Sequence, residues 1–310
     1  ILKISGKNIK LVGNIGKPVL DYIEGENNES IFVYEMSSHQ LSDIKVSPRI
    51  AVFLNVYPEH LDYYLDFKEY FEAKTNITRF QNGKDIFVYC SDFEELRSLA
   101  ESSRARQFSF SSKDSLDKFG VEITKIPLEG SHNLVNIKAA ILASQQLGVS
   151  NQDIKKGIKT FTPLEDRLEK IGSVNGISFV NDTLATIPQA TIAALDTFGE
   201  KEITVILGGF DRGIDFDILG SDISKRKNVQ NIILIGQTAK KIKKSLLKYN
   251  YSGKIHGLGN SEMGGIVKLA YKITSKGGVV LLSPASTSFD MFKDYKDRAE
   301  QFKKAVENLK

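Results

Sequence analysis

Short runs of β-branched and aromatic residues alternate along this chain with longer amphipathic stretches. Four such runs occupy residues 9–12, 31–34, 50–54 and 86–90, and Phe67–Gln81 is the clearest helical stretch between them. A chain with this alternation buries each strand under the helices that precede and follow it. The predicted fold class is therefore α/β, with a mainly parallel sheet.

The same alternation resumes in the second half of the chain. Asn175-Gly176 stands between two apolar runs and predicts a hairpin over residues 168–180. Further strands are predicted at 203–207, 231–235 and 279–282, followed by an amphipathic helix over Phe289–Leu309. The helical pattern breaks at Phe161-Thr162-Pro163-Leu164. We place a domain boundary there, which gives predicted domains of residues 1–163 and 164–310.

Composition excludes several classes of protein. The 310 residues carry 42 basic and 38 acidic side chains, so a net charge of +4 gives no reason to expect a nucleic-acid partner. Cys90 is the one cysteine and cannot form an internal disulfide, which favours a reducing compartment. No apolar run approaches the roughly 18 residues of a membrane span. We expect a cytoplasmic protein that does not enter a membrane.

The beginning of the chain predicts a fragment. No Met starts it, and Ile1–Lys7 reads as the end of a helix with Gly6 as its C′ residue. None of the four Gly-Lys pairs is followed by Ser or Thr, so a phosphate-binding P-loop is missing from these residues. We expect an N-terminal part to be lacking.

Polar residues follow the predicted strands of the first half. Glu35 comes directly after one strand, and it either ligates Mg²⁺ or caps the next helix. The loop Asn55–Asp62 contains His60, which either binds a metal or phosphate or is structural. Lys74 lies on a predicted helix with apolar neighbours. It is either a solvated surface lysine or one whose pKa burial lowers, which would make it nucleophilic.

Three further polar groups complete the pattern. Asn133 and Asn136 at a helix start either cap it or present amides to a base or phosphate. Asn181-Asp182 and the segment Ser283–Ser288 follow strands of the second half, and a serine-rich turn at a helix start suits an anion. The residues alone predict an enzyme that handles a nucleotide or another anion.

These groups occur in the same order as in the Mur ligases, which the chain resembles over essentially its whole length. The matching motifs are Gly13-Asn14-Ile15-Gly16, Glu35-Met36-Ser37-Ser38, Asn55–Asp62, Glu72-Ala73-Lys74, His132-Asn133-x2-Asn136, Arg167, Asn181-Asp182, Gly208-Gly209 and Leu282–Asp290. The resemblance implies a central ATPase domain with a mainly parallel sheet, followed by a Rossmann-like C-terminal domain. It also implies that the UDP-binding domain and the first strand with its P-loop are absent, so that this fragment alone would be inactive.

The resemblance further implies a monomeric, ATP-dependent ligase of peptidoglycan synthesis, on which cell shape and division depend. In that family ATP phosphorylates the carboxylate of UDP-N-acetylmuramoyl-L-alanine, and the amine of D-glutamate attacks the acyl phosphate. Two Mg²⁺ ions and CO₂, held as a lysine carbamate, assist the reaction. Catalysis of this kind rests on positioning and on stabilisation of charge.

Residue roles are implied by position in the family motifs. Glu35, His60 and Lys74 would be the catalytic and metal-binding residues, with Lys74 as the carbamate. The ATP contacts would be Asn133, Asn136, Arg167 and Asp182. The muramoyl-alanine and glutamate contacts would be Asn14, Ser37, Thr186, Arg212, Ser288, Phe289 and Tyr295.

The chain departs from the family pattern at four positions. Leu184 stands in place of a lysine, Asp166 in place of a histidine, Arg212 in place of a lysine and His39 in place of an aromatic residue. Arg212 keeps the charge and can bind a carboxylate with two hydrogen bonds. Leu184 removes a cation and leaves two alternatives open: a ligase that adds L-glutamate, and a non-catalytic ligand-binding relative.

Overall fold

The chain divides into two compact units, residues 1–162 and 163–310, each of which has its own sheet and core. The structure is a computed structural model that describes residues 1–14, 18–22, 29–120, 126–128 and 130–309. Ile15 and Gly16 of the first family motif lie outside the described residues. The predicted α/β class is confirmed in both units.

The described residues of the first unit contain five strands in two parallel sheets. Strands β1 (Ile9–Gly13) and β2 (Ile31–Glu35) pair with each other. A second sheet has the order β3 (Ile50–Phe53), β4 (Ile86–Cys90), β5 (Arg106–Phe110). The helices are α1 (Ser38–Ser42), α2 (Phe67–Arg79), α3 (Glu94–Ser102), α4 (Ser131–Gln146) and α5 (Asn151–Lys159), with short 3₁₀ turns at Val19–Tyr22 and Leu116–Phe119.

The core of the first unit lies on the three-stranded sheet. Phe87 and Val88 of β4 are fully buried, and Leu96 of α3 and Ile141 of α4 pack into the same cluster. The two-stranded sheet differs, because Phe32 is 36% and Val33 40% exposed.

The second unit is built on one six-stranded sheet. Its order is β10 (Lys254–Gly259), β9 (Val229–Ile235), β8 (Ile203–Gly208), β11 (Val279–Leu282), β7 (Ile177–Asn181), β6 (Glu169–Val174), and only the β6–β7 pair is antiparallel. The helices are α6 (Pro188–Leu195), α7 (Asp217–Ser224), α8 (Ala239–Lys248), α9 (Met263–Ile273) and α10 (Tyr295–Glu307), with a 3₁₀ turn at Asp196–Phe198.

Helices cover both faces of this sheet, so its central strands are apolar without alternation. Every residue of β8 and β11 is buried. The predicted hairpin is confirmed: β6 and β7 are joined by Asn175 and Gly176, which both have positive φ (49° and 82°), as a type I′ turn requires.

Two features differ from the sequence expectations. Helix α10 begins at Tyr295 instead of Phe289, because the Asp294 side chain accepts a hydrogen bond from the Asp297 amide and caps it. Strand β10 was not predicted, since two glycines interrupt its apolar pattern. By contrast, residues 2–6 close as the end of a helix does, as expected: the Lys7 amide donates to the Leu2 carbonyl, the Gly6 amide donates to the Lys3 carbonyl, and Gly6 has a positive φ of 76°. In the part of the chain described, no helix combines the length and apolarity that crossing a membrane requires.

Candidate active site

Asn14 and Glu35 lie side by side at the carboxyl end of the two-stranded sheet. Gly13 pairs with Glu35 across the strands, and the Asn14 amide donates to the Glu35 carbonyl at 2.9 Å. Gly13 has a φ of 115°, and a Cβ there would lie 2.1 Å from the Glu35 carbonyl oxygen. Glycine is therefore required for the close approach of these two exposed residues.

Ser37 forms the N-terminus of α1. Its hydroxyl accepts from the Gln40 amide at 3.3 Å, and the Gln40 side chain accepts from the Ser37 amide at 2.9 Å. This capping box fixes the direction of the chain just after Glu35. The alternative that Glu35 is the cap is wrong, since Ser37 fills that position.

His60 sits in a strained turn of the loop that follows β3. Its φ is 57°, and its carbonyl accepts from the amides of Tyr63 and Tyr64. The ring packs edge-on against His39, with centroids 5.0 Å apart, and His39 in turn packs against Tyr63 at 4.5 Å. Aromatic packing thus sets the orientation of His60, and His39 takes part in it.

Lys74 lies half-buried on α2, with its Nζ 5.1 Å from the centre of the Tyr70 ring. Burial lowers the pKa of Lys74, and the opposing charges of Glu59 and Glu35 reduce that shift. Of the two alternatives for Lys74, burial therefore favours the lysine of lowered pKa over the solvated surface lysine. The charges of Glu59 and Glu35 thus act on Lys74 from the loop after β3 and from the end of β2. Glu59, which stands directly before His60 in the loop whose His, Glu and Asp residues were expected to bind a metal or phosphates, belongs to this group.

These side chains do not form a preformed metal cage. Among the residues that the structure describes, no three His, Cys, Asp or Glu side chains are gathered closely enough to hold an ion. Mg²⁺ is usually held by one or two carboxylates with several waters and substrate phosphates rather than by the protein alone. The carboxylates of Glu35 and Glu59 beside Lys74 suit such an open site.

The two asparagines of α4 contact each other. The Asn136 side-chain amide donates to the Asn133 side-chain oxygen at 3.3 Å. The alternative that they cap the helix is wrong, because Gly130 occupies the N-cap position. Both amides therefore lie in the first two turns of α4, where they can meet a polar ligand.

In the second unit, Asp182 is buried at the carboxyl end of β7. Its Oδ2 accepts from the Ser283 hydroxyl at 2.8 Å and its Oδ1 from the Leu168 amide at 3.2 Å. Burial raises the pKa of Asp182 to about 6, although these hydrogen bonds and the charge of Arg167 act in the opposite direction. The expected polar edge is thus present, and it joins β7 to the segment after β11.

Arg167 lies in a turn in which the residues on either side of it are held in place. Asp166 and Leu168 on either side have positive φ values of 64° and 45°. The Asp166 carboxylate accepts from the Asn181 side chain at 2.8 Å and pairs with Lys303 at 3.3 Å. Asp166, which replaces the family histidine, therefore anchors the turn while Arg167 remains exposed.

Arg212, Ser288 and Phe289 lie around the segment that follows β11. The Arg212 guanidinium carbon is 5.8 Å from the centre of the Phe289 ring, whereas Ser288 is buried. Arg212 Nε and Asp290 Oδ1 are buried without a hydrogen-bond partner among the described residues. Such atoms are costly unless a ligand or water satisfies them.

Other predicted residues are less closely tied to this group. Among the described residues, no side-chain hydrogen bond or ring contact links Thr186 or Tyr295 to Arg212, Ser288 or Phe289. Leu184 is half-buried, and its amide donates to the Asp166 carbonyl at 3.4 Å.

Family models match both units. Residues 1–144 match the Mur ligase middle domain, and residues 166–286 match the Mur ligase glutamate ligase domain. The chain belongs to the Mur ligase family.

Individual relatives match the whole chain. A UDP-N-acetylmuramoylalanine–D-glutamate ligase from Acetivibrio thermocellus is 38% identical over 331 residues, which cover 100% of this chain and 70% of that protein. Ligases of the same name from Clostridium kluyveri and Streptococcus agalactiae are 35% and 32% identical, again over 100% of this chain and 70% of theirs. The relatives therefore favour the D-glutamate reading over the L-glutamate one.

Solved structures share the fold at low sequence identity. The MurF ligase of Thermotoga maritima in complex with ADP has a TM-score of 0.67 at 18% identity and covers 100% of this chain and 76% of its own. A pseudomurein peptide ligase from Methanothermus fervidus has the same TM-score at 16% identity, covering 100% and 74%.

Proposed function

We propose that the protein is an ATP-dependent ligase that joins D-glutamate to UDP-N-acetylmuramoyl-L-alanine. The observation that carries this proposal is the match of the whole chain, at 32–38% identity, to ligases with that name. The preserved polar residues at the strand ends of both units support it. A non-catalytic relative would have no use for the grouping of Glu35, Glu59 and Lys74.

The second unit would bind the amino acid and part of ATP. Arg212 has the charge and the free Nε to hold a glutamate carboxylate, with Ser288 and Phe289 beside it and with Thr186 and Tyr295 as further contacts. Arg167 is exposed on an anchored turn, which suits a phosphate. Asp182 would contact ATP close to that turn.

The first unit would bind the muramoyl substrate and the metal. Asn14 and Ser37 would contact the muramoyl-alanine, and Asn133 and Asn136 would approach the adenine. Glu35 and His60 would hold Mg²⁺, a hard cation that neutralises the negative charge developing on transferring phosphoryl oxygens.

Lys74 would become a metal ligand after taking up CO₂. Its neutral amine would attack the carbon of CO₂ and lose one proton, which leaves a carbamate anion. Burial lowers the pKa of Lys74 and so favours the neutral amine that this step requires. The side chain would then offer oxygens where an ammonium group would repel a cation.

The reaction would proceed in two steps. The muramoyl-alanine carboxylate would attack the γ-phosphorus of ATP, giving an acyl phosphate and ADP. The neutral amine of D-glutamate would then attack the acyl carbon, phosphate would leave, and the amine would release a proton. The protein's part is to hold both reactants at attack distance and to balance their charges.

Phosphate release tests the proposal. The full-length protein is incubated with ATP, Mg²⁺ and UDP-N-acetylmuramoyl-L-alanine, and D- or L-glutamate is added. We expect release that depends on D-glutamate. Equal release with L-glutamate would refute the stereochemical part, and no release with either amino acid would refute the ligase itself.

A further inference from the structure

Arg298 of α10 is a completely buried cation, with 0% of its surface exposed. Helix α10 otherwise turns an apolar stripe to the sheet, in which Phe302 and Val306 follow Arg298 at intervals of four residues. A charged group in such a stripe costs free energy unless its donors are satisfied. Its hydrogen bonds therefore show what it does there.

The guanidinium joins two segments that are distant in sequence. Its Nε donates to the Thr183 hydroxyl at 2.7 Å, and one terminal nitrogen donates to the Thr183 carbonyl at 2.8 Å. The other terminal nitrogen donates to the Ser286 carbonyl at 3.1 Å. Thr183 follows β7 and Ser286 follows β11, so one side chain spans both strand ends.

No carboxylate neutralises this charge directly. Among the described residues, none lies within ion-pair distance of Arg298, and Asp290 is the acidic residue whose charge acts on it. Burial lowers the pKa of Arg298 to about 10, so it stays charged at neutral pH. The cation is thus held by carbonyl and hydroxyl oxygens alone.

We propose that Arg298 is a positioning residue that fixes the spacing between the Asp182–Thr186 segment and the Ser286–Phe289 segment, and thereby shapes the amino-acid subsite of the second unit. The inference rests on the proposed function, since these segments carry the proposed contacts to D-glutamate and ATP. A planar fork with donors on several sides can bridge these acceptors, whereas the single ammonium of lysine cannot reach all of them.

Michaelis constants separate positioning from simple stabilisation. We expect Arg298→Met to raise the KM for D-glutamate roughly 10- to 100-fold, because small displacements of contacting groups cost about that much. The KM for UDP-N-acetylmuramoyl-L-alanine should stay within about twofold, and Arg298→Lys should recover part of the loss. If Arg298→Met fails to fold, Thr183→Val, which removes one acceptor, should shift the same KM in the same direction.

Lys138 of α4 supplies a matched control. It is also a buried cation (1% exposed) that donates to two carbonyls, those of Ser111 and Ser112, but it belongs to the first unit. Lys138→Met should reduce stability without changing the KM for D-glutamate. An unchanged KM in Arg298→Met, with only less folded enzyme, would overturn the inference.

Hydrogen exchange tests the inference without any activity. In Arg298→Met the amides of residues 183–187 and 286–289 should exchange at least about tenfold faster than in the wild type, and in Lys138→Met they should not. Unchanged exchange would refute the positioning role even in an inactive protein. Loss of glutamate-dependent release in the wild type would instead refute the proposed function.

Discussion

The two units hold their polar strand ends by different means. In the second unit Asp182 is buried on a six-stranded sheet and is fixed by hydrogen bonds from Ser283 and Leu168. In the first unit Glu35 ends an exposed strand of a two-stranded sheet, and His60 is oriented by aromatic packing. The geometry of the second group therefore depends on the core of its unit, whereas the first group depends on strand pairing and surface packing.

Burial shifts the pKa of one key residue in each unit, an acidic residue in the second unit and a basic residue in the first. It raises the pKa of the Asp182 carboxyl and lowers the pKa of the Lys74 amine. Both shifts favour the neutral form. For Lys74 the neutral form is the one that the proposed chemistry needs, whereas for Asp182 it is the ionised form that costs stability at neutral pH.

The largest expected effect tests Lys74 as a chemical rather than a structural residue. Lys74→Ala should lower kcat at least about 100-fold, since the carbamate that we propose as a metal ligand is lost. The free energy of unfolding should change by less than about 1 kcal/mol, because the side chain is only half-buried. Steady-state kinetics and urea unfolding measure the two quantities.

Two further measurements sharpen this result. A small carboxylate such as formate should restore part of the activity of Lys74→Ala, since it can take the place of the carbamate oxygens. Lys74→Arg keeps the positive charge but not the nucleophilic amine, so it should be as inactive as Lys74→Ala. Wild-type activity in Lys74→Arg would refute the carbamate hypothesis.

The next largest effect is on stability, and it compares a phenylalanine of the covered six-stranded sheet with one of the exposed two-stranded sheet. Phe179 of β7 is 0% exposed, so Phe179→Ala should reduce the free energy of unfolding by about 3–5 kcal/mol. Phe32 of β2 is 36% exposed, and Phe32→Ala should cost only about 1 kcal/mol in this chain. Denaturant unfolding of the two variants measures both values. Equal losses would show that the two-stranded sheet is as well covered as the six-stranded one.

The smallest effect concerns Asp182 and depends on pH. The folded carboxyl has a pKa of about 6 against an ordinary value of 3.8, so the folded state retains a proton that the unfolded state releases, and stability falls as pH rises through this window. In Asp182→Asn the side-chain oxygen can still accept from the Leu168 amide, and the side-chain NH₂ can donate to the Ser283 hydroxyl, which then donates to Thr191. Both contacts can therefore persist without the charge. The substitution should therefore raise the free energy of unfolding by about 2 kcal/mol at pH 8 and have little effect near pH 4.

Although Asp182→Asn should be more stable than the wild type at pH 8, its activity should be lower. The KM for ATP should rise if Asp182 contacts the nucleotide. A gain in stability that is the same at pH 4 and pH 8 would contradict the assigned cause, because desolvation of a charge matters only where the wild-type carboxyl is ionised.

Much of the fold could be predicted because strong local signals determine it. The strand at residues 86–90 and the hairpin turn at Asn175-Gly176 were predicted at their observed positions. The start of α10 was not, since Phe289 and Phe292 continue its apolar pattern although Asp294 is the cap. Strand β10 was missed because its pairing with β9 comes from the sheet and not from its own composition.

The candidate site was predictable only residue by residue. Polar residues after strands, such as Glu35 and Asp182, are visible in the sequence, but the approach of Glu59 to Lys74 depends on how a loop meets a helix. Arg298 gave no usable signal, since a basic residue in an amphipathic helix normally lies in solvent. Only when the start of α10 at Tyr295 is known can Arg298 be placed on the same buried face as Phe302 and Val306.

The position of β11 has a consequence for how this unit forms during synthesis. It is the last strand made, yet it lies between β7 and β8 and pairs with both. Until residue 282 has left the ribosome, the β6–β7 hairpin and the group β8, β9 and β10 would be separate. Strand β7 of the hairpin and strand β8 of the group would each expose an unpaired apolar edge. Such edges are what chaperones cover and what aggregates join. Slow translation of the segment between β8 and β11 would prolong that exposure. Even after β11 has paired, the segments that follow β7 and β11 would be joined only when α10 has folded and Arg298 has formed its hydrogen bonds to them.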